Sequence, residues 1–306
     1  MNQALHNQLL SIVGENGVKE NEPMSKHTTF RVGGNADFFI VPETISQIQQ
    51  IVSLAKKENV PYLFIGNGSN LLVSDEGIRG MVIEMTKMNQ VVVEGMCLRA
   101  LAGITLASLS REALNHELEG FEFAGGIPGT LGGAVSMNAG AYGGEMKDVI
   151  KEATVLDDKG EIKTLSKEEL ELGYRTSIVG RNHYVVLEAV IELTKGTKEE
   201  ILAKMEDLAS RRREKQPLEY ASAGSTFKRP EGYFAGKLID DAGLRGFGIG
   251  GAKVSDKHCG FIINTGNATA FDVRRLIIEV QNRVEDKFGI RLETEVKFIG
   301  FADRDW

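Results

Sequence analysis

At 306 residues the chain is longer than one hydrophobic core usually grows, so two or three subdomains are expected rather than one. Its 42% hydrophobic and 26% charged residues form an ordinary globular mixture that excludes a disordered majority. A formal charge of −7 argues against a broad nucleic-acid surface, since duplex binding draws on many Lys and Arg contacts with phosphate, but it leaves room for a small anionic ligand in a local basic pocket.

Along the chain, residues 1–22 show no pattern beyond a short helix. MNQALHNQLL lacks the basic start and continuous apolar core of a signal peptide, and no window reaches the roughly 20 apolar residues of a membrane span. DFFIVP (37–42) reads as a strand, and Thr44 caps a helix whose Ile45, Ile48, Ile51, Val52 and Ala55 recur at helical spacing. VPYLFIG (60–66) is a second strand, followed by GNGSN (66–70) and a third strand near MVIEM (81–85). This β-α-β order suggests an α/β unit with a ligand loop after its second strand. VVVEGMCLRALAG (91–103) reads as a strand pair, and ITLASLSREALNHE (104–117) as a helix with Leu106, Leu109 and Leu114 inward.

EATVLDDKGEIKTL (152–165) is a hairpin, with Asp158-Lys159-Gly160 as its turn, and HYVVLEAVIEL (183–193) is a further strand. KEEILAKMEDLASRRREKQP (198–217) is predicted as a helix stopped by Pro217, with Ile201, Met205 and Leu208 as its buried stripe. The glycine-rich residues 218–268 form a separate lobe. FDVRRLIIEVQNRVEDKFG (271–289) is a helix ended by Gly289, and LETEVKFIGF (292–301) alternates as a strand, with Leu292, Thr294, Val296 and Phe298 on one side and Glu293, Glu295, Lys297 and Ile299 on the other. No internal repeat is visible.

AGGIPGTLGGAVSMNAGAYGGE (124–145) carries eight glycines in 22 positions, against about 7% for an average chain. Each ordered glycine costs about 0.5–1 kcal/mol of backbone entropy, which asks for something to offset it. Two glycine loops, 66–70 and 125–144, can cradle a pyrophosphate, because successive unshielded N–H groups form a concave anion site. Tight turns and close sheet packing are the alternative, the weaker reading for the long stretch and the stronger one for GNGSN alone. GNGSN holds only half of a GxGxxG pattern, and Gly236-Lys237 is followed by Leu238, so the Rossmann signature and the Walker P-loop are both lacking. Cys97 and Cys259 are too few for a disulfide framework or a cysteine-based zinc site and suit a reducing cytoplasm. The five histidines are scattered, His116-Glu117 lacks a second histidine at i+4, and no metal is expected. By themselves the basic cluster SRRREKQ (210–216) suits a helix C-terminus, Ser225 in AGSTFKRP reads as a turn former, Glu295 as the polar side of a strand and Arg175 as a surface arginine.

Taken together, HTTFRVGG (27–34), GNGSNLLVSD (66–75), GGIPGTLGGAVSMNAGAYGGE (125–145), YRTS (174–177), AGSTFKRP (223–230), AGKLID (235–240), IGGAKVS (249–255) and EVKFIG (295–300) resemble the flavoenzyme family of UDP-N-acetylenolpyruvoylglucosamine reductases. The resemblance implies an α+β chain: a vanillyl-alcohol-oxidase-type FAD-binding domain of two α/β subdomains plus a C-terminal α+β substrate lobe. Subdomain 1 would span 1–85, with the terminal strand 293–306 packing back on it, subdomain 2 would span 86–210, and the substrate-binding domain 211–292. It implies non-covalent FAD held by Gly66, Asn67, Gly68, Ser69, Asn70, Gly125, Gly126, Ile127, Gly129, Thr130, Gly133, Ala134, Ser136, Asn138, Gly140 and Ala141. NADPH would be the reductant. Catalysis would fall to Arg175, Ser225 and Glu295, with Ser225 as proton donor and Arg175 and a protonated Glu295 facing the developing negative charge. Tyr174, Lys215 and Arg229 would bind the nucleotide-sugar substrate. The short interval between YRTS and HYVVLEAV matches the subgroup without a tyrosine-bearing loop. A cytoplasmic monomer without nucleic-acid or membrane partners is implied. The alternatives are a sugar or alcohol oxidase of the same FAD fold and a non-catalytic nucleotide-sugar binding protein.

Overall fold

A computed structural model describes residues 3–302. The first two residues of the predicted segment 1–85 and residues 303–306 of the predicted terminal strand therefore lie outside the described residues. The chain forms two compact units and passes between them repeatedly: one comprises 1–20, 38–67 and 80–211, the other 21–37, 68–79 and 212–306.

The first unit is built on two sheets. One has the strand order Val18–Pro23, Asn35–Ile40, Ile78–Glu84, Tyr62–Ile65, with the last two parallel. The helix Ile45–Lys57 starts where predicted because Thr44 and Gln47 satisfy each other's backbone N–H groups in a capping box. Its Ile48, Ile51, Val52 and Ala55 are buried with Phe38, Ile40, Met81 and Ile83. The strand Val18–Pro23 escaped the sequence reading because VKENEP is polar after Val18, so its alternating burial leaves no apolar pattern in the sequence.

The second sheet is antiparallel, in the order Ile162–Ser166, Ile150–Leu156, Val185–Glu192, Cys97–Leu101, Val91–Glu94. The helix Leu106–Asn115 buries Leu106, Leu109, Ser110 and Ala113, whereas Leu114 is half-buried. The helix Lys198–Lys215 departs from its predicted stripe: Ile201 is buried, while Met205 and Leu208 are half-buried. Its inner side is partly polar, since Lys204 Nζ pairs with buried Glu122 at 2.9 Å and Met205 Sδ accepts from Ser110 Oγ at 3.8 Å.

In the second unit, four short strands run Ala221–Ser222, Ile262–Asn264, Ala252–Val254, Gly248–Ile249, and the helix Ala270–Phe288 shares a core with them. The helix has a Thr269–Asp272 capping box, two further N–H groups bonded to the Asp75 carboxylate at 2.9 Å each, and Gly289 in left-handed conformation (φ 68°) at its end. The predicted strand 292–301 is shorter than expected. Only Lys297–Ile299 is regular, paired in parallel with Leu71–Val73, while Thr294 bridges Phe227. The chain changes bonding partner between Val296 and Lys297, so one alternating pattern serves two neighbours.

The hairpin turn at 157–161 is held by a buried carboxylate. Asp157 accepts from the N–H groups of Lys159 and Glu161 at 2.9 and 2.8 Å and pairs with Lys163 at 2.5 Å. Lys163, aided by those two N–H groups against the cost of burial, holds the carboxyl down at about 2. A carboxyl depressed by folding contributes stability above its unfolded value and loses it as pH falls through the folded one. Thermal unfolding of wild type and Asp157→Asn should therefore show a gap that is constant above pH 5 and closes as pH approaches 2. A gap independent of pH would refute this.

Candidate active site

In the first unit the two glycine loops meet. Gly66 lies so near Thr130 that a Cβ there would stand 2.1 Å from Thr130 Oγ1, and Asn67 Nδ2 donates to the Pro128 carbonyl at 3.0 Å. The long loop is fixed from behind by three backbone bonds, Leu106 N–H to Gly129 O, Leu131 N–H to Ile104 O and Gly132 N–H to Ala102 O. Leu131, Ala134 and Val135 anchor the short helix Leu131–Ser136 in the core.

The glycines of 124–145 divide by cause. Packing requires Gly125, Gly132, Gly140 and Gly144, where a Cβ would come within 2.9 Å of Ser110, Ala102, Glu145 and Phe123 respectively. Gly143 has φ 90°. Gly133 has no such reason: it is exposed, and the nearest atom to a Cβ would be Thr130 Oγ1 at 3.7 Å, an ordinary contact. Bare backbone is therefore presented where the fold would accept a side chain, as suits a ligand lying against the loop.

Gly140 O accepts from Arg175 Nη2 at 3.2 Å, and the Arg175 guanidinium lies 5.2 Å from the Tyr174 ring centre. Arg175 has φ 55°, a left-handed conformation that costs a side-chain-bearing residue about 1–2 kcal/mol. Beside it, the Lys147 ammonium, helped by the Asn138 amide and the charge of Arg175, holds the Glu145 carboxyl below its usual range against the opposing effect of burial. Among the predicted cofactor contacts, Asn138 is fully buried, with its side chain bonded to Glu145, Gly173 and Lys147 and its N–H to Val135 O.

In the second unit Ser225 and Glu295, 70 positions apart, become neighbours through one buried residue. Thr226 donates its N–H to Gly260 O (2.8 Å), its carbonyl accepts the N–H of Glu295 (2.8 Å), and its Oγ1 accepts the N–H of Ile262 (3.1 Å). Gly224, at φ 73°, turns the chain just before, and Ser225 is exposed while Glu295 is half-buried. Asn70 adds a second tie: its Nδ2 donates to Glu295 O (3.0 Å) and its carbonyl accepts from Lys297 N–H (3.0 Å). The last residue of GNGSN thus supports the acid with its side chain. Gly68, in the same loop, sits against His27 O, and its carbonyl accepts from Thr29 N–H at 3.3 Å.

Lys215 is exposed at the end of its helix. Arg229 is exposed too, stacked 3.9 Å from the Phe234 ring centre with Nε donating to Tyr233 O. Ser69, Ile127, Ser136 and Ala141 are half-buried, and Ala134 is buried. Thr226, and the segment 27–29 behind Gly68, carry weight that the sequence reading did not assign them. The one local signal for Thr226 was a β-branched polar residue just after Gly224-Ser225 and before Phe227.

Comparison with known proteins gives one consistent result. Residues 216–299 match the family model described as UDP-N-acetylenolpyruvoylglucosamine reductase, C-terminal domain, and residues 36–166 match an FAD binding domain. The UDP-N-acetylenolpyruvoylglucosamine reductase of Clostridium perfringens is 56% identical over 286 residues, 94% of both chains. That of Caldanaerobacter subterraneus is 52% identical over 300 residues, 98% of this chain and 99% of the relative. The crystal structure of the Thermus caldophilus reductase superposes with a TM-score of 0.79 at 37% identity, covering 92% of this chain and 98% of the other. A grass pollen allergen with glucose dehydrogenase activity, Phl p 4, shares the fold over 62% of this chain at 15% identity (TM-score 0.51).

The contrast between Gly66 and Gly133 is testable by FAD titration and thermal unfolding. Gly133→Ala should unfold no lower than wild type, because alanine favours a helix, yet bind FAD about tenfold or more weakly. Gly66→Ala should lower the unfolding temperature itself. Unchanged FAD affinity in Gly133→Ala would show that the open side of the loop faces no ligand.

Proposed function

Since this chain belongs to the family of UDP-N-acetylenolpyruvoylglucosamine reductases, we propose that Ser225, Glu295 and Arg175 perform the proton transfer and charge stabilisation of that family's reaction. The protein is an FAD-dependent oxidoreductase with an α+β architecture. It reduces UDP-N-acetylglucosamine enolpyruvate to UDP-N-acetylmuramate for peptidoglycan synthesis, with NADPH as reductant. When bound, FAD passes the electrons of NADPH to the enolpyruvyl double bond.

The residues that would hold FAD are the backbone of 66–70 and of 125–141. The bare face at Gly133 and the seating of Gly66 against Thr130 support this. Reduction of an enolpyruvyl ether places negative charge on the carbon next to the carboxylate, and that charge spreads into the carboxylate oxygens. Donors aimed at those oxygens lower the barrier, and removing one such donor typically costs about 10²–10³ in rate. Arg175 supplies a permanent cation, and Glu295, in its protonated form, a hydrogen bond. Ser225 Oγ gives its proton to the carbon. An alcohol is a weak acid, so this works only against a strongly basic partner and from a fixed position. The observation that carries the assignment is the Glu295 N–H to Thr226 carbonyl bond, which fixes acid and serine to one buried residue.

Tyr174, Lys215 and Arg229 are assigned to the substrate, the two cations to its pyrophosphate. The exposure of all three supports this. The functional division into an FAD-binding part, 1–85 and 86–210 with the terminal segment 293–306, and a substrate-binding part, 211–292, is likewise proposed, supported by the separate matches over 36–166 and 216–299. Among the described residues no helix is long and apolar enough to cross a membrane. A cytoplasmic monomer is proposed, and the two free cysteines suit a reducing compartment.

Ser225→Ala should leave reduction of the bound flavin by NADPH at its wild-type rate while slowing its reoxidation by the enolpyruvyl substrate about 10²–10⁴-fold, the range for loss of a general acid. Equal slowing of both half-reactions, followed by stopped-flow absorbance, would contradict the proton-donor role. Glu295→Gln keeps a donor and should retain at least about tenfold more substrate-dependent reoxidation than Glu295→Ala. Identical losses would remove Glu295 from the donor role.

A further inference from the structure

The turn that carries Arg175 is tied to the glycine loop by three polar bonds. Ser177 Oγ donates to Ser136 O at 2.7 Å, Arg175 Nη2 donates to Gly140 O at 3.2 Å, and Asn138 Nδ2 donates to Gly173 O at 2.8 Å. Gly173 and Thr176 close the turn by exchanging backbone bonds of 3.0 and 3.3 Å, with Tyr174 and Arg175 between them. The Gly173 carbonyl thus accepts both the Thr176 N–H that defines the turn and the amide of Asn138. The same amide donates to Glu145 Oε2 at 2.9 Å, and Asn138 Oδ1 accepts the N–H of Lys147 at 2.9 Å.

We propose that Asn138 is a positioning residue for Arg175: its buried carboxamide pins the Gly173 carbonyl and so holds the left-handed turn from which the guanidinium is presented. The proposal rests on the reading of Arg175 as the cation that faces the developing charge. Position 138 has to offer two donors and one acceptor from a single planar head, because two of its partners are oxygens and the third is an N–H. A carboxamide meets that demand, while a carboxylate of the same shape would face two acceptors with no proton to give. The side chain is 0% exposed, so water does not stand in for a missing partner. Arg175 at φ 55° and Asn138 at φ 45° are both in the left-handed region, so the turn and the loop it docks on depend on such bonds to keep their shape.

The test is a double-mutant cycle on the FAD-loaded enzyme, combining Asn138→Ala with Arg175→Ala and following each half-reaction by stopped flow. Arg175→Ala should slow substrate-dependent reoxidation about 10²–10³-fold. Asn138→Ala should slow that half-reaction at least about tenfold with Arg175 present and less than about twofold with Arg175→Ala, leaving reduction by NADPH unchanged. Hydrogen exchange of the Thr176 and Lys147 amides should speed up in Asn138→Ala. Asn138→Asp adds a further signature: its reoxidation rate should rise more steeply than that of wild type as pH is lowered, because the protonated carboxyl becomes a donor to Gly173 O. Where Asn138→Ala does not accumulate as holoenzyme, Asn138→Ser, which keeps one donor, carries the same cycle. Equal losses in both Arg175 backgrounds would overturn the positioning role. An Arg175→Ala enzyme with unchanged reoxidation would instead overturn the reading of Arg175 itself.

Discussion

A polar group shut away from water must be paired inside the protein, because leaving it unpaired costs about 1–3 kcal/mol, more than the net gain of one ordinary hydrogen bond. At Thr226 and Asn138 that requirement sets the arrangement of the reactive side chains. Thr226 is fully buried and uses its N–H, carbonyl and hydroxyl at once, so the segments around Ser225, Glu295 and Ile262 have little freedom to separate. Asn138, equally buried, joins the glycine loop to the turn that bears Arg175. The side chains proposed to meet substrate are thus placed by buried neighbours.

The glycine loops obey a different constraint. Four of the eight glycines of 124–145 are required by packing, since neighbours leave no space for a Cβ, so part of the richness of that stretch is a consequence of dense folding. At Gly133 neither packing nor a positive φ explains the absence of a side chain. An FAD pyrophosphate needs backbone donors brought close, and the two demands coexist because the loop is anchored from behind by its own backbone bonds.

Charge near the turn is balanced locally. Lys147 and the Asn138 amide stabilise the Glu145 carboxylate, with Arg175 adding its field. The Glu145 carboxylate acts on Arg175 through its charge, while Gly140 O accepts a hydrogen bond from the guanidinium. In the role proposed for Arg175, such orientation matters more to a reaction with one defined site of charge build-up than the number of cations present.

The sequence by itself determined the elements whose signals are local. The capped helix after Thr44, the hairpin around 157–161 and the long helix ended by Gly289 follow from side chains that bond their own backbone within a few residues. The ordered motifs were likewise enough to indicate the flavoenzyme family. Tertiary structure alone decided that the alternating run 292–301 divides between two partners, that Met205 and Leu208 sit only half-buried, and that the Asn138 and Asn70 side chains serve protein carbonyls. It also decided that Thr226 joins the serine to the acid. These outcomes turn on which backbone N–H or carbonyl lies across from a given residue, and for partners 35, 69 or 225 positions away no local pattern encodes that choice.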